Sequence, residues 1–142
     1  MISNRHQIYI DWGDCDPAAI VYYPRYFQYF DNCTHALFRA VGVDIHRMQR
    51  NGEIAGIPMI DTRSKFYVPA FYSDTVTVET TITRLGGASF EVHHRMLQDD
   101  TLSAEGFEKR VWTTYHPANP QKLIATRIPD EIRSLLENQA RG

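Results

Sequence analysis

Hydrophobic residues recur with two different periods along this chain. Residues 7–12 alternate, with Ile8, Ile10 and Trp12 on one side, as in a half-buried strand. Over residues 24–41 the spacing changes to threes and fours. Phe27, Phe30, Thr34, Leu37, Phe38 and Val41 form one stripe, and Tyr26, Tyr29, Cys33 and Ala40 widen it. The pattern predicts a helix of about five turns, apolar on most of its circumference. Pro24 suits its first position, where the donor that proline lacks would have no partner. The same proline disfavours helical angles at Tyr23, so a sharp turn is expected there. Gly42 is a natural stop, and a shorter polar helix is expected over 44–50.

After that the period returns to two. Residues 57–68 alternate Ile60, Thr62, Ser64, Phe66 and Val68 against Met59, Asp61, Arg63, Lys65 and Tyr67. Residues 75–85 turn Val76, Val78, Thr80 and Ile82 inward, and 88–97 turn Phe90, Val92, His94 and Met96 inward. Gly86-Gly87 between them is a hairpin signal. A turn is expected at 98–101, one long strand at 102–115 and a loop at 117–120. Pro129-Asp130-Glu131 opens a last helix carrying Ile132, Leu135 and Leu136, with acids in the first turn that complement the helix dipole.

The predicted order is strand, long apolar helix, four strands in a meander, short helix. Strands and helices segregate, so the class is α+β, with a five-stranded antiparallel sheet around one central helix. Long strands at 57–68 and 102–115 would leave an open edge on a monomer, which a second copy can cover.

Composition narrows the field. The chain has 142 residues, 43% of them hydrophobic, and a net charge of -2. A single domain over 1–142 is expected. Nothing in the charge calls for nucleic acid. No apolar run approaches the roughly 20 residues that span a bilayer, and the first residues carry no secretory signal. Cys15 and Cys33 have no framework spacing and read as reduced thiols of a cytoplasmic protein.

The candidate chemistry sits in residues 13–31. Gly13-Asp14-Cys15-Asp16-Pro17 is a polar loop, and a few residues later an aromatic-rich helix begins. A carboxylate near the free N–H groups of a helix start is an arrangement suited to acyl chemistry. Asp14 reads as a loop organiser bonded to local amides. Asp11, Asp14 and Asp16 lack a supporting histidine, so no metal is expected. Cys15 reads as a small buried thiol, and the six histidines are scattered without a motif. His93 and His94 lie on opposite faces of a strand, one toward the core. Asp31, a carboxylate on an aromatic helix, is either exposed or aimed at a polar ligand group.

The run from Gly13 to Pro24, followed by Tyr26 and Asp31, closely resembles the signature of hotdog-fold thioesterases, in the 4-hydroxybenzoyl-CoA thioesterase branch of the Pseudomonas type. The resemblance extends through Gly56-Ile57-Pro58, Ser89-Phe90 and Ile128-Pro129. It implies a hotdog fold, an acyl-CoA substrate, no cofactor, and homodimers or homotetramers with active sites at the subunit interface. Carried over by position, Asp16 matches the catalytic carboxylate. Tyr23 matches the residue whose backbone N–H polarises the thioester carbonyl. Asp31 matches a position facing the aromatic acyl group, and Ser89 one near the CoA thiol. Trp12 and Tyr26 join them as candidate substrate contacts. An aspartate there attacks the carbonyl or deprotonates a water.

One departure stands out. The hairpin before Ser89 is basic in that branch and is Gly86-Gly87-Ala88 here. Arg84, Lys65, Lys109 and Arg110 are the possible substitutes as phosphate ligands. A thioesterase for acyl carrier protein or short aliphatic acyl-CoA, and a non-catalytic acyl-CoA-binding module, are the alternative functions. A dehydratase is disfavoured because no histidine is expected beside an acid.

Overall fold

The two sequence periods resolve into one long helix lying against one curved sheet. The computed structural model describes residues 1–138. Its elements are β1 (Ser3–Tyr9), α1 (Pro24–Ala40), α2 (Ile45–Arg50), β2 (Met59–Phe66), β3 (Thr75–Leu85), β4 (Ser89–Gln98), β5 (Thr101–Val111), β6 (Thr113–Tyr115), β7 (Leu123–Ala125) and α3 (Asp130–Glu137). The main sheet is antiparallel with strand order β1-β3-β4-β5-β2. The class is the α+β hotdog arrangement that the sequence predicts.

The connections differ from a four-strand meander. Only β3, β4 and β5 follow one another as hairpins. β2 crosses over to pair with β5 at the far edge. It is exposed along both faces, so its alternation does not report a buried side. Met59, Ile60 and Phe66 are open to solvent on this edge strand.

The first strand runs earlier than its pattern predicts. Ile2 and Ile10 bracket β1 and are buried, whereas Trp12 lies in a short 3-10 turn, Trp12–Asp14, and is exposed. The expected long last strand breaks at Trp112. There the backbone leaves β4's partner and forms a two-stranded ribbon, β6 with β7. Trp112 N–H donates to Ala88 O and its carbonyl accepts from Thr126 N–H, so the break loses no hydrogen bonds.

α1 begins at Pro24 and ends as predicted. Gly42 has φ +84, its N–H bonds to Arg39 O, and Val43 N–H bonds to Phe38 O, a Schellman end. The buried face is centred on Tyr26, Tyr29, Phe30, Cys33, Leu37 and Phe38. Phe27 and Val41 are only partly covered and Ala40 is exposed.

The core has two apolar clusters, one around Phe30, Val78 and Met96, the other around Phe38, Ile82, Phe90 and Trp112. A polar layer lies at the positions between them: Thr34 on α1, Thr80 on β3, His94 on β4 and Glu108 on β5 are all buried. Phe30 stacks on His94 at 4.9 Å. It also lies so close to Gly106 that an added Cβ would meet its ring at 2.4 Å.

Candidate active site

Residues 13–24 form a tight hairpin ahead of α1. Cys15 and Val21 pair across it, and Tyr22 N–H donates to Asp14 O. At its tip Asp16 N–H donates to Ile20 O, Ala19 N–H donates to Asp16 O, and Ala18 N–H donates to Asp16 Oδ1 at 2.8 Å. The Asp16 carboxylate is thus oriented by a main-chain donor and stays partly exposed. Ala19 sits at φ +65, a left-handed conformation that costs a non-glycine residue energy.

At the other arm, Tyr23 has φ -52 and ψ -36. It is helical despite Pro24, so the expected sharp turn falls earlier, in the 16–20 loop. Tyr23 is the N-cap of α1, and two turn bonds close the helix start. Arg25 N–H donates to Tyr22 O and Tyr26 N–H to Tyr23 O. Pro24 has no N–H. Among the described residues the Tyr23 N–H has no protein acceptor, so the free donors expected at the helix start reduce to this one. Beside it opens an apolar cavity of 290 Å³, with Tyr23, Tyr26, Phe66 and Val68 among its walls. Asp16 is not among the lining residues.

Asp14 does not bond local amides as expected. Its Oδ2 accepts from Tyr29 Oη at 2.8 Å, and Arg25 Nε lies 3.6 Å from Oδ1. Burial, with this bond to Asp14, pushes the Tyr29 phenol well above its ordinary range. Asp14 therefore ties the loop to α1. Cys15 is half-buried rather than buried, with its thiol 3.5 Å from Asp11 O. Desolvation and then the neighbouring carboxylates of Asp14, Asp16 and Asp11 raise its pKa, which disfavours a thiolate nucleophile.

Asp31 lines a second cavity, of 760 Å³, together with His35, Arg39, Ile57 and Arg110. Arg110 Nη2 donates to Asp31 Oδ1 at 2.6 Å, and His35 Nε2 is 3.8 Å from the same oxygen. Burial lowers the His35 pKa, opposed by Asp31 and reinforced by Arg110 and Arg39. Trp12 packs edge-on against Tyr72 at 5.3 Å. Ser89 begins β4, its carbonyl accepting from Gly86 N–H. So of the six predicted site residues, Tyr23 and Tyr26 share one cavity and Asp31 lines another. Asp16, Trp12 and Ser89 line neither.

Two expectations are overturned by buried charge. Arg110 cannot serve as a phosphate ligand at the surface. Its side chain is 5% exposed, with Nε on Glu108 Oε1 and Nη1 on Ile57 O. And a histidine does stand beside an acid: His94 Nε2 is 3.1 Å from Glu108 Oε2, with Thr34 and Thr80 bonded to the pair's other atoms. Both side chains are enclosed under Phe30, which keeps substrate away from this pair. Burial alone would raise the Glu108 pKa, but hydrogen bonds from His94 and Arg110 outweigh it and hold it down to about 2.

A family model described as the thioesterase-like superfamily matches residues 10–136. The chain belongs to the thioesterase-like superfamily. It is 34% identical over 88 residues to 4-hydroxybenzoyl-CoA thioesterase from Pseudomonas sp. (strain CBS-3), a match covering 60% of this chain and 61% of that enzyme. Among solved structures, an aspartate-to-asparagine mutant of 4-hydroxybenzoyl-CoA thioesterase complexed with 4-hydroxybenzoyl-CoA is 28% identical. It superposes with TM-score 0.85, covering 95% of this chain and 99% of the other. A gentisyl-coenzyme A thioesterase is 27% identical with TM-score 0.82, covering 95% of this chain and all (100%) of the other. Superfamily membership and these named thioesterases support a thioester hydrolase. Among the described residues no helix is long and apolar enough to cross a membrane.

Proposed function

We propose that this chain is an acyl-CoA thioesterase acting on an aromatic acyl group, with 4-hydroxybenzoyl-CoA as the first candidate. The observation that carries the reading is the unpartnered Tyr23 N–H at the start of α1, beside an aromatic-walled cavity and on the same hairpin as a main-chain-oriented Asp16. The Tyr23 N–H binds the thioester oxygen as negative charge grows on it. Asp16 either attacks the carbonyl carbon, giving a mixed anhydride that water then opens, or removes a proton from the attacking water. The thiolate of CoA leaves without needing a strong acid. Aromatic walls and few polar groups suit the neighbourhood of an aryl thioester.

The reading also calls for two copies of the chain. Asp31 lies eight positions beyond Tyr23 on the same helix, about 12 Å along its axis. A benzoyl group does not span that distance. A ring whose carbonyl sits at Tyr23 of one protomer meets Asp31 of its partner instead. The open edge of β2, with Met59, Ile60 and Phe66 exposed, supports a homodimer joined there, with further pairing into tetramers. Ser89 belongs to the thiol-side approach in this reading, and Trp12 is a further substrate contact. The two free thiols suit a reducing cytoplasm.

A second reading draws on the hairpin. Gly86-Gly87-Ala88 offers no basic side chain, and only Arg84, Lys65 and Lys109 of the possible phosphate ligands are exposed. That favours a thioesterase for acyl carrier protein or for short aliphatic acyl-CoA over one for aryl-CoA. Rates on matched aryl-CoA, alkyl-CoA and carrier-protein thioesters, for wild type and Asp16→Asn, separate the readings. Hydrolysis of aryl-CoA that survives Asp16→Asn overturns the assignment of Asp16. Binding of acyl-CoA without turnover by the wild type identifies a binding module.

A further inference from the structure

The polar layer between the two apolar clusters does not end in the core. It continues from Glu108 to Arg110 and from Arg110 to Asp31, and so reaches the wall of the 760 Å³ cavity. Desolvation offsets much of the attraction in a buried ion pair, so the burial of Glu108 and Arg110 is weak evidence that the pair serves stability. A guanidinium carries five N–H donors. Three of Arg110's have protein acceptors: Glu108 Oε1 at 2.8 Å, Ile57 O at 3.0 Å and Asp31 Oδ1 at 2.6 Å. One N–H on each terminal nitrogen is left, and Arg110 lines the cavity. Asp31 engages Arg110 and His35 through Oδ1, and no described contact uses its Oδ2. A fixed donor and a fixed acceptor thus stand side by side on the cavity wall.

We infer that Arg110 is a specificity-determining residue, which together with Asp31 recognises an acyl-group substituent that both donates and accepts a hydrogen bond, namely a ring hydroxyl. The inference rests on the thioesterase reading and deepens it. The hydroxyl donates to Asp31 Oδ2 and accepts from a free Arg110 N–H. A methoxy group accepts but cannot donate, so it leaves Asp31 Oδ2 unmatched. An amino group on an aryl ring donates but accepts poorly, so it leaves the Arg110 donor unmatched. Because Glu108 and Ile57 O hold the guanidinium in place, the donor cannot swing away to find water. Each mismatch leaves one hydrogen-bonding position of a charged group unfilled on the cavity wall, which is what makes such a site selective.

The test is the ratio of kcat/KM values on benzoyl-CoA thioesters carrying a hydroxyl, methoxy, amino or no ring substituent. The hydroxyl is placed in turn at each ring position. Wild type is expected to favour its best hydroxyl isomer over all three others by at least about tenfold. The two variants are expected to relax different comparisons. Asp31→Asn narrows hydroxyl against methoxy. Arg110→Lys, which keeps a charge but not the planar fork, narrows hydroxyl against amino. A residue with a merely structural role would lower all four rates together. The wild-type ranking stands as a test even if Arg110→Lys folds poorly. Hydrolysis of the series without ranking, or an unchanged hydroxyl-to-amino ratio in folded Arg110→Lys, overturns the role of Arg110 and leaves the thioesterase reading intact. No hydrolysis of any member overturns the thioesterase reading, and this inference with it.

Discussion

Arg110 Nη2 donates to Asp31 Oδ1 at 2.6 Å, joining a strand side chain that is 5% exposed to a helix side chain that is 48% exposed. The two partners are unequal. Removing the Asp31 charge leaves Arg110 still paired with Glu108 and bonded to Ile57 O. Removing Arg110 leaves the Glu108 carboxylate buried with only neutral donors and His94. Arg110→Met is therefore expected to destabilise by about 3–5 kcal/mol, and Asp31→Asn by no more than about 1 kcal/mol. Urea unfolding of the two variants checks the asymmetry. Equal losses would mean that the pair, and not Glu108, holds Arg110 in place.

Glu108 makes acid stability a second test. Its native pKa of about 2 lies below the ordinary value of 4.5. The unfolded chain therefore binds its proton more readily. The contribution is complete above about pH 4.5 and is lost as pH falls toward 2, about 3 kcal/mol in all. Glu108→Gln removes the titrating group. Its melting temperature should fall less steeply than wild type's between pH 5 and pH 3. Parallel curves would mean that Glu108 titrates normally in the folded protein.

At the proposed catalytic hairpin, Asp16→Asn should cut hydrolysis by about 10²–10⁴ while circular dichroism and melting stay near wild type. Tyr23→Phe should change little, because the Tyr23 side chain is 63% exposed and its proposed role belongs to the main chain. A large loss in Tyr23→Phe would assign the chemistry to the phenol.

Two small substitutions test the backbone. Ala19 holds φ +65, so Ala19→Gly should stabilise by about 1 kcal/mol by relieving left-handed strain, read as a higher urea midpoint. Gly106→Ala should destabilise by about 1–3 kcal/mol, since its methyl group would overlap the Phe30 ring. A neutral result there would mean that Phe30 has room to move.

Ile60 is 56% exposed on the open edge strand β2. If two copies join there, Ile60→Lys should shift the sedimentation of the protein toward a monomer and reduce hydrolysis with it. A monomeric wild type of full activity would rule out a shared site.

The inward faces of β3 and β4 were legible because each alternation answers to a single core, so Val76 through Met96 fall where their parity puts them. α1 was legible for the same reason, although its true centre lies at Tyr26, Tyr29 and Cys33, which the polar hydroxyls and thiol disguise. The break at Trp112 was not. The run Arg110–Tyr115 has strong strand propensity throughout, and propensity carries no information on which strand lies alongside. β7 is three residues long, too short for any period. The polar layer was half visible. The alternation turns Thr80 and His94 inward, but it gives Arg110 only as a possible phosphate ligand and does not single out Glu108. Their parity was the missed signal: they share it with Ala104 and Gly106, both buried on β5. Two charges on the core side of a strand announce partners: these two pair with each other, and their further partners Thr34, His94 and Asp31 lie elsewhere in the sequence.

Ile2 N–H donates to Leu136 O at 3.1 Å, so the first strand and last helix meet backbone to backbone. Arg133 from that helix also grips the carbonyls of Gly86 and Gly87. With Ile2 and Leu136 this close, the two can be joined in a circular permutant. A short peptide bridging residues 138 and 1, with new ends cut in the exposed 117–122 loop, would keep every strand pairing of the main sheet. Such a rewired chain would put the attachment points in the 117–122 loop, on another part of the surface.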